Sequence, residues 1–272
     1  MNYRVLILSF LCVIAIQPAK SQCPASNTAF QEGEELTYNL FFNWKFIWVK
    51  AGMASLKTTL TRWQGEEAYS SSLLTQTSKN LDKFFMMRDT LQSVMKKDLV
   101  PLYYKKAANE GGKYYADEVW YAYENGRTQL KHKYSSRKGE TRRTESSHTQ
   151  CIYDMLSMMM RARSFNPIQF SVGEKLKYSM ADGRKVEDIT LIYRGKEEYK
   201  MKGTDVVYRC LVFSFVEYDK GKEKEVITFY ITDDENHIPV RLDMYLKFGT
   251  AKAYICNYKG LRNPLTSVSN KK

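Results

Sequence analysis

Histidine is scarce, with three in 272 residues. His132, His148 and His237 lie far apart, and none belongs to a His-Glu-x-x-His or His-x-His arrangement, so zinc hydrolase chemistry has no footing here. No Gly-x-Ser-x-Gly elbow, Ser-x-x-Lys motif or glycine-rich phosphate loop occurs, which removes the usual signs of serine hydrolases, acyl-enzyme chemistry and nucleotide binding. Proline (6) and glycine (14) are few, and no Pro/Gly/Ser-rich linker divides the chain. Long apolar runs are missing too. The longest, Val5 to Ile16, has 12 residues, short of the roughly 20 that a membrane-spanning helix needs. Acidic doublets do occur, at Glu34/Glu35, Glu66/Glu67, Asp117/Glu118 and Asp233/Asp234. Adjacent residues of a strand point to opposite faces, so no doublet alone supplies the two carboxylates of a glycosidase. Cys151 follows His148 by three residues, and in a polar segment of an oxidising compartment it reads as a disulfide partner before it reads as a nucleophile. No catalytic residue, metal or cofactor is expected, and the chain reads as a non-enzyme.

What is present begins with an export signal. Arg4 precedes the apolar run, and Gln17-Pro18-Ala19-Lys20-Ser21 ends it, with Ala19 and Ser21 placed for cleavage. Residues 1–21 therefore read as a signal peptide and 22–272 as the mature chain. Cleavage would remove Arg4 and Lys20 and lower the net charge from +12 to +10. Such an excess favours anionic lipid, glycolipid or an acidic envelope protein, with peripheral membrane contact. Export separates the chain from nucleic acid. The expected location is the periplasm or the outer-membrane surface of a Gram-negative bacterium. Cys12 would leave with the signal, and four cysteines would remain. Cys210 and Cys256 each sit in a strand-like segment two residues after a tyrosine, which pairs them in this reading and leaves Cys23 with Cys151. Four free thiols is the alternative.

Short strands with period-two alternation dominate. Leu36, Tyr38, Leu40 and Phe42 alternate with polar or partly polar neighbours, and Ala54, Leu56, Thr58 and Leu60 do likewise. Glu124-Asn125-Gly126-Arg127 is a strong hairpin signal. Strand-like runs recur from Ile189 to Tyr258, split by Asp219-Lys220-Gly221, Asp233 to Asn236, and Gly249. Tight spacing implies antiparallel hairpins. Lys79 to Met87, with Leu81, Phe84 and Phe85 on one face, and the methionine-rich Tyr153 to Arg163 read as helices. The polar run from Ser135 to Gln150 reads as a solvated loop. An internal echo, Gly-Glu-x-Leu-x-Tyr, appears at Gly33 to Tyr38 and again at Gly173 to Tyr178. It marks two sheet-building halves, about 30–135 and 170–260, within one unit. The fold expected from this pattern is mainly β, a large antiparallel sheet with one or two short helices.

Aromatic residues are abundant, with 13 Phe, 4 Trp and 20 Tyr. Tyr38, Phe42, Trp44, Trp48 and Trp120 are the candidate lining of an aromatic groove, with Trp44, Phe46 and Trp48 expected on one face of one strand. Rings with polar tips suit acyl-chain or sugar contact. Core packing is the competing role, for these rings as for the methionines of the second helix.

Several motifs then fall into an order. They are Phe30-Gln31-Glu32-Gly33-Glu34-Glu35-Leu36-Thr37-Tyr38, then Val49-Lys50-Ala51-Gly52, Tyr153-Asp154-Met155-Leu156-Ser157 with Arg161, Phe170-Ser171-Val172-Gly173-Glu174, and Asn236-His237-Ile238-Pro239-Val240-Arg241. This series resembles the DUF3108 family of exported bacterial proteins of unassigned activity. The resemblance implies a curved antiparallel sheet closing into a barrel or half-barrel, and it implies no activity. The expected role is a non-catalytic binding or carrier module for an apolar or glycolipid-like envelope ligand. Docking of an envelope partner is the alternative, and glycan hydrolysis a weaker one.

Overall fold

A computed structural model describes residues 23–44, 47–83, 86–182, 185–246 and 249–270. The expected signal peptide, Gln22, Phe46, Phe84 and Phe85, and the side chain of Trp44, lie outside the described residues.

The first half is a meander: β1 (Glu35–Trp44), β2 (Ile47–Trp63), β3 (Glu66–Thr77), β4 (Met87–Lys96), β5 (Pro101–Glu110), β6 (Lys113–Glu124), β7 (Arg127–Ser136) and β8 (Thr141–His148). The second half contains β9 (Ile152–Tyr153), β10 (Lys175–Asp182), β11 (Lys185–Lys200), β12 (Val206–Asp219), β13 (Lys222–Thr232), β14 (Pro239–Leu246), β15 (Gly249–Lys259) and β16 (Val268–Asn270). Sheet order runs from β8 back to β1, then β15, and back to β10 and β9, while β16 pairs with β12. The late strand β15 thus closes against the first strand, Leu40 opposite Ala253, and joins the two meanders into one sheet. Every pairing is antiparallel except the two-residue β9–β10 contact. The strands are antiparallel, as the alternation and short turns predict, and the sheet curls into a nearly closed barrel, as the family resemblance implies.

The period-two pattern is visible in burial. On β2, Ala54, Leu56 and Thr58 are buried while Met53, Lys57 and Thr59 are exposed. Their partners Leu36 and Tyr38 on β1, with Tyr69 on β3 and Leu91 on β4, continue the same core, which fills the barrel. Helix α2 (Met155–Ala162) enters that core with Leu156 and Met160, both fully buried. A side chain of that size contributes about 1.5–3 kcal/mol when removed from water. Met155 alone of its methionines is exposed, so the helix packs instead of presenting a methionine face. Its start is fixed by a reciprocal cap. Asp154 accepts from the Ser157 amide, and Ser157 Oγ accepts from the Asp154 amide.

Four expectations need correction. The first helix is one turn, α1 (Lys79–Asp82), and β4 begins at Met87. The run Ser135–Gln150 is not a loop. Arg142 and Arg143 sit on β8, opposite Tyr134 and Lys133, because exposed alternating polar residues satisfy an edge strand as well as a loop. Trp44 and Trp48 do not share a strand, since Trp44 ends β1, Ile47 begins β2, and Asn43 faces Trp48 across the hairpin. Cys210 and Cys256 are not bonded to each other and are both free. They lie on β12 and β15, three strand spacings apart, or about 14 Å, well beyond the roughly 7 Å limit for bridged Cα atoms. Cys210 is also buried while Cys256 is exposed. The disulfide joins Cys23 to Cys151, with Cα atoms 6.0 Å apart.

The sequence echo has a physical cause. Gly33 and Gly173 both adopt left-handed φ, +83° and +88°, and each donates its amide to a neighbouring segment, at Thr58 O and Tyr193 O. That backbone geometry favours glycine. The glutamates after them diverge, because Glu34 is fully buried and Glu174 caps its own turn through the Ser171 amide.

Candidate functional site

The motif residues converge on an internal clasp at the end of the barrel where β1 begins. Arg163, just past α2, donates from Nη1 and Nη2 to the two carboxylate oxygens of Glu34, at 2.5 and 2.9 Å. Its Nε donates to Asn236 O at 3.2 Å, and the ring of Phe30 lies beneath the guanidinium. Both charged side chains are 1% exposed. The imidazole of His237, pushed below its ordinary pKa by burial, contacts Arg163 O through Nδ1 at 2.5 Å. Asn236 in turn binds the backbone of Asn263 and Pro264. The knot holds the N-terminal segment, α2, the β13–β14 turn and the C-terminal segment together.

A second buried acid lies above it. Asp154 Oδ2 accepts from Ser93 Oγ at 3.0 Å, and burial raises its carboxyl to about 6. Asp89 is likewise raised to about 6, by burial first and by the neighbouring Glu110 charge. A carboxyl with a raised folded-state pKa stabilises the fold below the ordinary carboxylate range and loses that contribution as pH rises through about 6. Asp154→Asn keeps the cap acceptor and removes the titration. The stability of this variant relative to the parent should therefore rise by up to about 3 kcal/mol between about pH 4 and 7, read by urea unfolding. A flat difference would reject the assignment.

The aromatic candidates are distributed over three places. Tyr38 lies in the core, 5% exposed. Phe42 and Trp48 lie at the opposite end of the barrel, where the β1–β2 and β14–β15 hairpins adjoin. Cross-strand pairs place Phe41 between Lys50 and Lys252, and Trp48 and Tyr245 stand two residues beyond on the same face. Lys252 Nζ sits over the Trp48 ring at 5.1 Å and pairs with Asp243. Ile47 and Leu246, at the hairpin tips, are 66% and 52% exposed, and Trp48 and Tyr245 are exposed beside them. Trp120 occupies a third place, on the face of β6 turned away from Val119 and Tyr121. There it meets Tyr103, which meets Trp63. Sequence reasoning missed Trp63, because nothing local shows that the β2–β3 turn lets its ring lie across Ala68 and Val94.

The face away from the core carries Lys57, Lys105, Glu118 and Lys133 beside Trp63, Tyr103 and Trp120. Among the described residues no helix is long and apolar enough to cross a membrane, and no group of His, Cys, Asp or Glu is arranged to hold a metal ion.

A family model described as "Protein of unknown function (DUF3108)" matches residues 36–255. Among solved structures, the chain is similar to the beta-barrel-like protein of domain of unknown function DUF1849 from Brucella abortus. Identity is 11%, coverage is 85% of this chain and 98% of that one, and the TM-score is 0.56. This likeness concerns the fold. No curated protein matches.

Proposed function

The chain belongs to the DUF3108 family, and from that premise we propose that it is an exported, non-catalytic envelope module that binds an anionic, glycolipid-like surface through its hairpin rim. The observation that carries this reading is the grouping of Ile47, Trp48, Tyr245 and Leu246 on two adjoining tips with Lys50 and Lys252 set just behind them. Tryptophan and tyrosine favour the boundary between headgroups and acyl chains. A lysine close to an anionic surface contributes about 1 kcal/mol. The barrel interior is filled by Tyr38, Tyr69, Tyr104, Tyr121 and α2, so the ligand is met from outside and not enclosed.

The test is flotation of the mature chain with vesicles of phosphatidylglycerol and phosphatidylcholine against phosphatidylcholine alone. Binding is expected only to the anionic vesicles and should weaken with added salt. Trp48→Ala combined with Leu246→Asp should reduce it roughly tenfold or more. Equal binding by that variant, or no preference for anionic lipid, would reject the reading.

A second reading, docking of an envelope protein, is favoured by one observation. Strand β8 ends the sheet and is exposed along Thr141–Glu145, the kind of edge that accepts an added strand.

A further inference from the structure

At the far end of β2 from the rim, the chain carries a second aromatic surface with a different character. Trp63 and Tyr103 are nearly parallel, centroids 5.7 Å apart and planes 22° apart, and Trp120 follows at 5.4 Å from Tyr103. All three are partly exposed on the face turned from the core. The strip is polar at its side. Tyr103 Oη donates to Glu118 Oε1 at 2.6 Å, and Lys133 Nζ reaches Glu118 Oε2 at 3.2 Å. Burial acts to raise the Glu118 carboxyl, but these two donors hold it below its ordinary range.

Beside Trp63 lies an open concavity of about 460 Å³. Trp63, Ala68 and Leu102 give it apolar surface, and Glu66, Lys96 and Asp98 stand around it. Its size falls within the roughly 300–1,000 Å³ of small-ligand sites. Donors and acceptors of both charge signs surround a run of flat rings. An acyl chain makes no use of those polar groups, and a lone anion gains nothing from the rings. A sugar matches both halves, because its C–H face lies on an aromatic ring while its hydroxyls reach the carboxylates and ammonium groups.

We propose that the Trp63–Tyr103–Trp120 strip and the adjoining concavity bind a glycan, with the rings as stacking platform and Glu66, Lys96 and Glu118 as hydroxyl partners. This site is independent of the rim. Trp63 and Ile47 are the two ends of a 17-residue strand, about 50 Å apart at roughly 3.3 Å per residue. A chain engaged at both ends holds a sugar polymer or a glycolipid headgroup at one end while it rests on lipid at the other.

Native electrophoresis of the full mature chain through gels containing mixed-linkage β-glucan, glucomannan or dextran tests a free polysaccharide. Calorimetric titration with lipopolysaccharide core oligosaccharide tests the headgroup source. Retardation or saturable binding in at least one arm is expected. Trp63→Ala and Trp120→Ala should each weaken it roughly tenfold or more, as the loss of an aromatic anchor does. Trp120→Phe should recover most of the loss, and Glu66→Gln, which leaves the ring packing intact, should weaken binding severalfold. Trp48→Ala should leave glycan binding unchanged while it weakens vesicle flotation, so the two sites fail separately. The proposal is overturned if no arm shows binding, or if the Trp63, Trp120 and Glu66 variants bind as the parent does.

Discussion

Arg163→Met is expected to destabilise the fold by about 3–5 kcal/mol. The mechanism is the stranded partner. Glu34 stays 1% exposed with its carboxylate no longer paired, and Asn236 O loses its guanidinium donors. A buried ion pair is itself close to neutral, because desolvation of both charges offsets most of their attraction. Glu34→Leu combined with Arg163→Met should therefore recover much of the loss. Urea unfolding of the two variants and the parent measures this. A double variant as unstable as the single one would show that the guanidinium's contacts with the Phe30 ring and Asn236 O, not its pairing with Glu34, hold the site.

Cys151→Ser, or reduction of the parent, should cost about 3–5 kcal/mol. The bridge spans a sequence separation of 128 residues, and closing a loop of that length removes much of the freedom of the unfolded chain. It also secures the N-terminal segment, whose Cys23 O accepts from Arg161 Nη1 and whose Ala25 amide donates to Asp98 O. The cleaved, oxidised protein should show two titratable thiols in denaturant, Cys210 and Cys256, and four after reduction. A melting temperature unmoved by reductant would remove the bridge from the list of stabilising features.

Strand direction and core membership were legible in the chain because a strand's two faces are written two residues apart. Leu36, Tyr38, Ala54 and Leu56 are core residues for that reason. The methionine-rich run was legible as a helix, but its start was not, because Tyr153, read as helical, lies on β9 and the cap is Asp154. The candidate groove was harder to read. Tyr38, Trp48 and Trp120 look alike in sequence, yet one is core, one is rim and one is strip. Bulges at Thr37/Tyr38 and Leu40/Phe41 shift the register within β1, and no residue pattern announces them.

Local alternation and turn chemistry by themselves determined an antiparallel, mainly β chain with a methionine-rich helix between its halves, because those forces act over a few residues. Only the tertiary structure decided that β15 closes on β1, that Cys23 meets Cys151, that Glu34 finds Arg163, and that Trp63 reaches Tyr103. Each of these pairs joins segments far apart along the chain, and that separation carries no record of their contact.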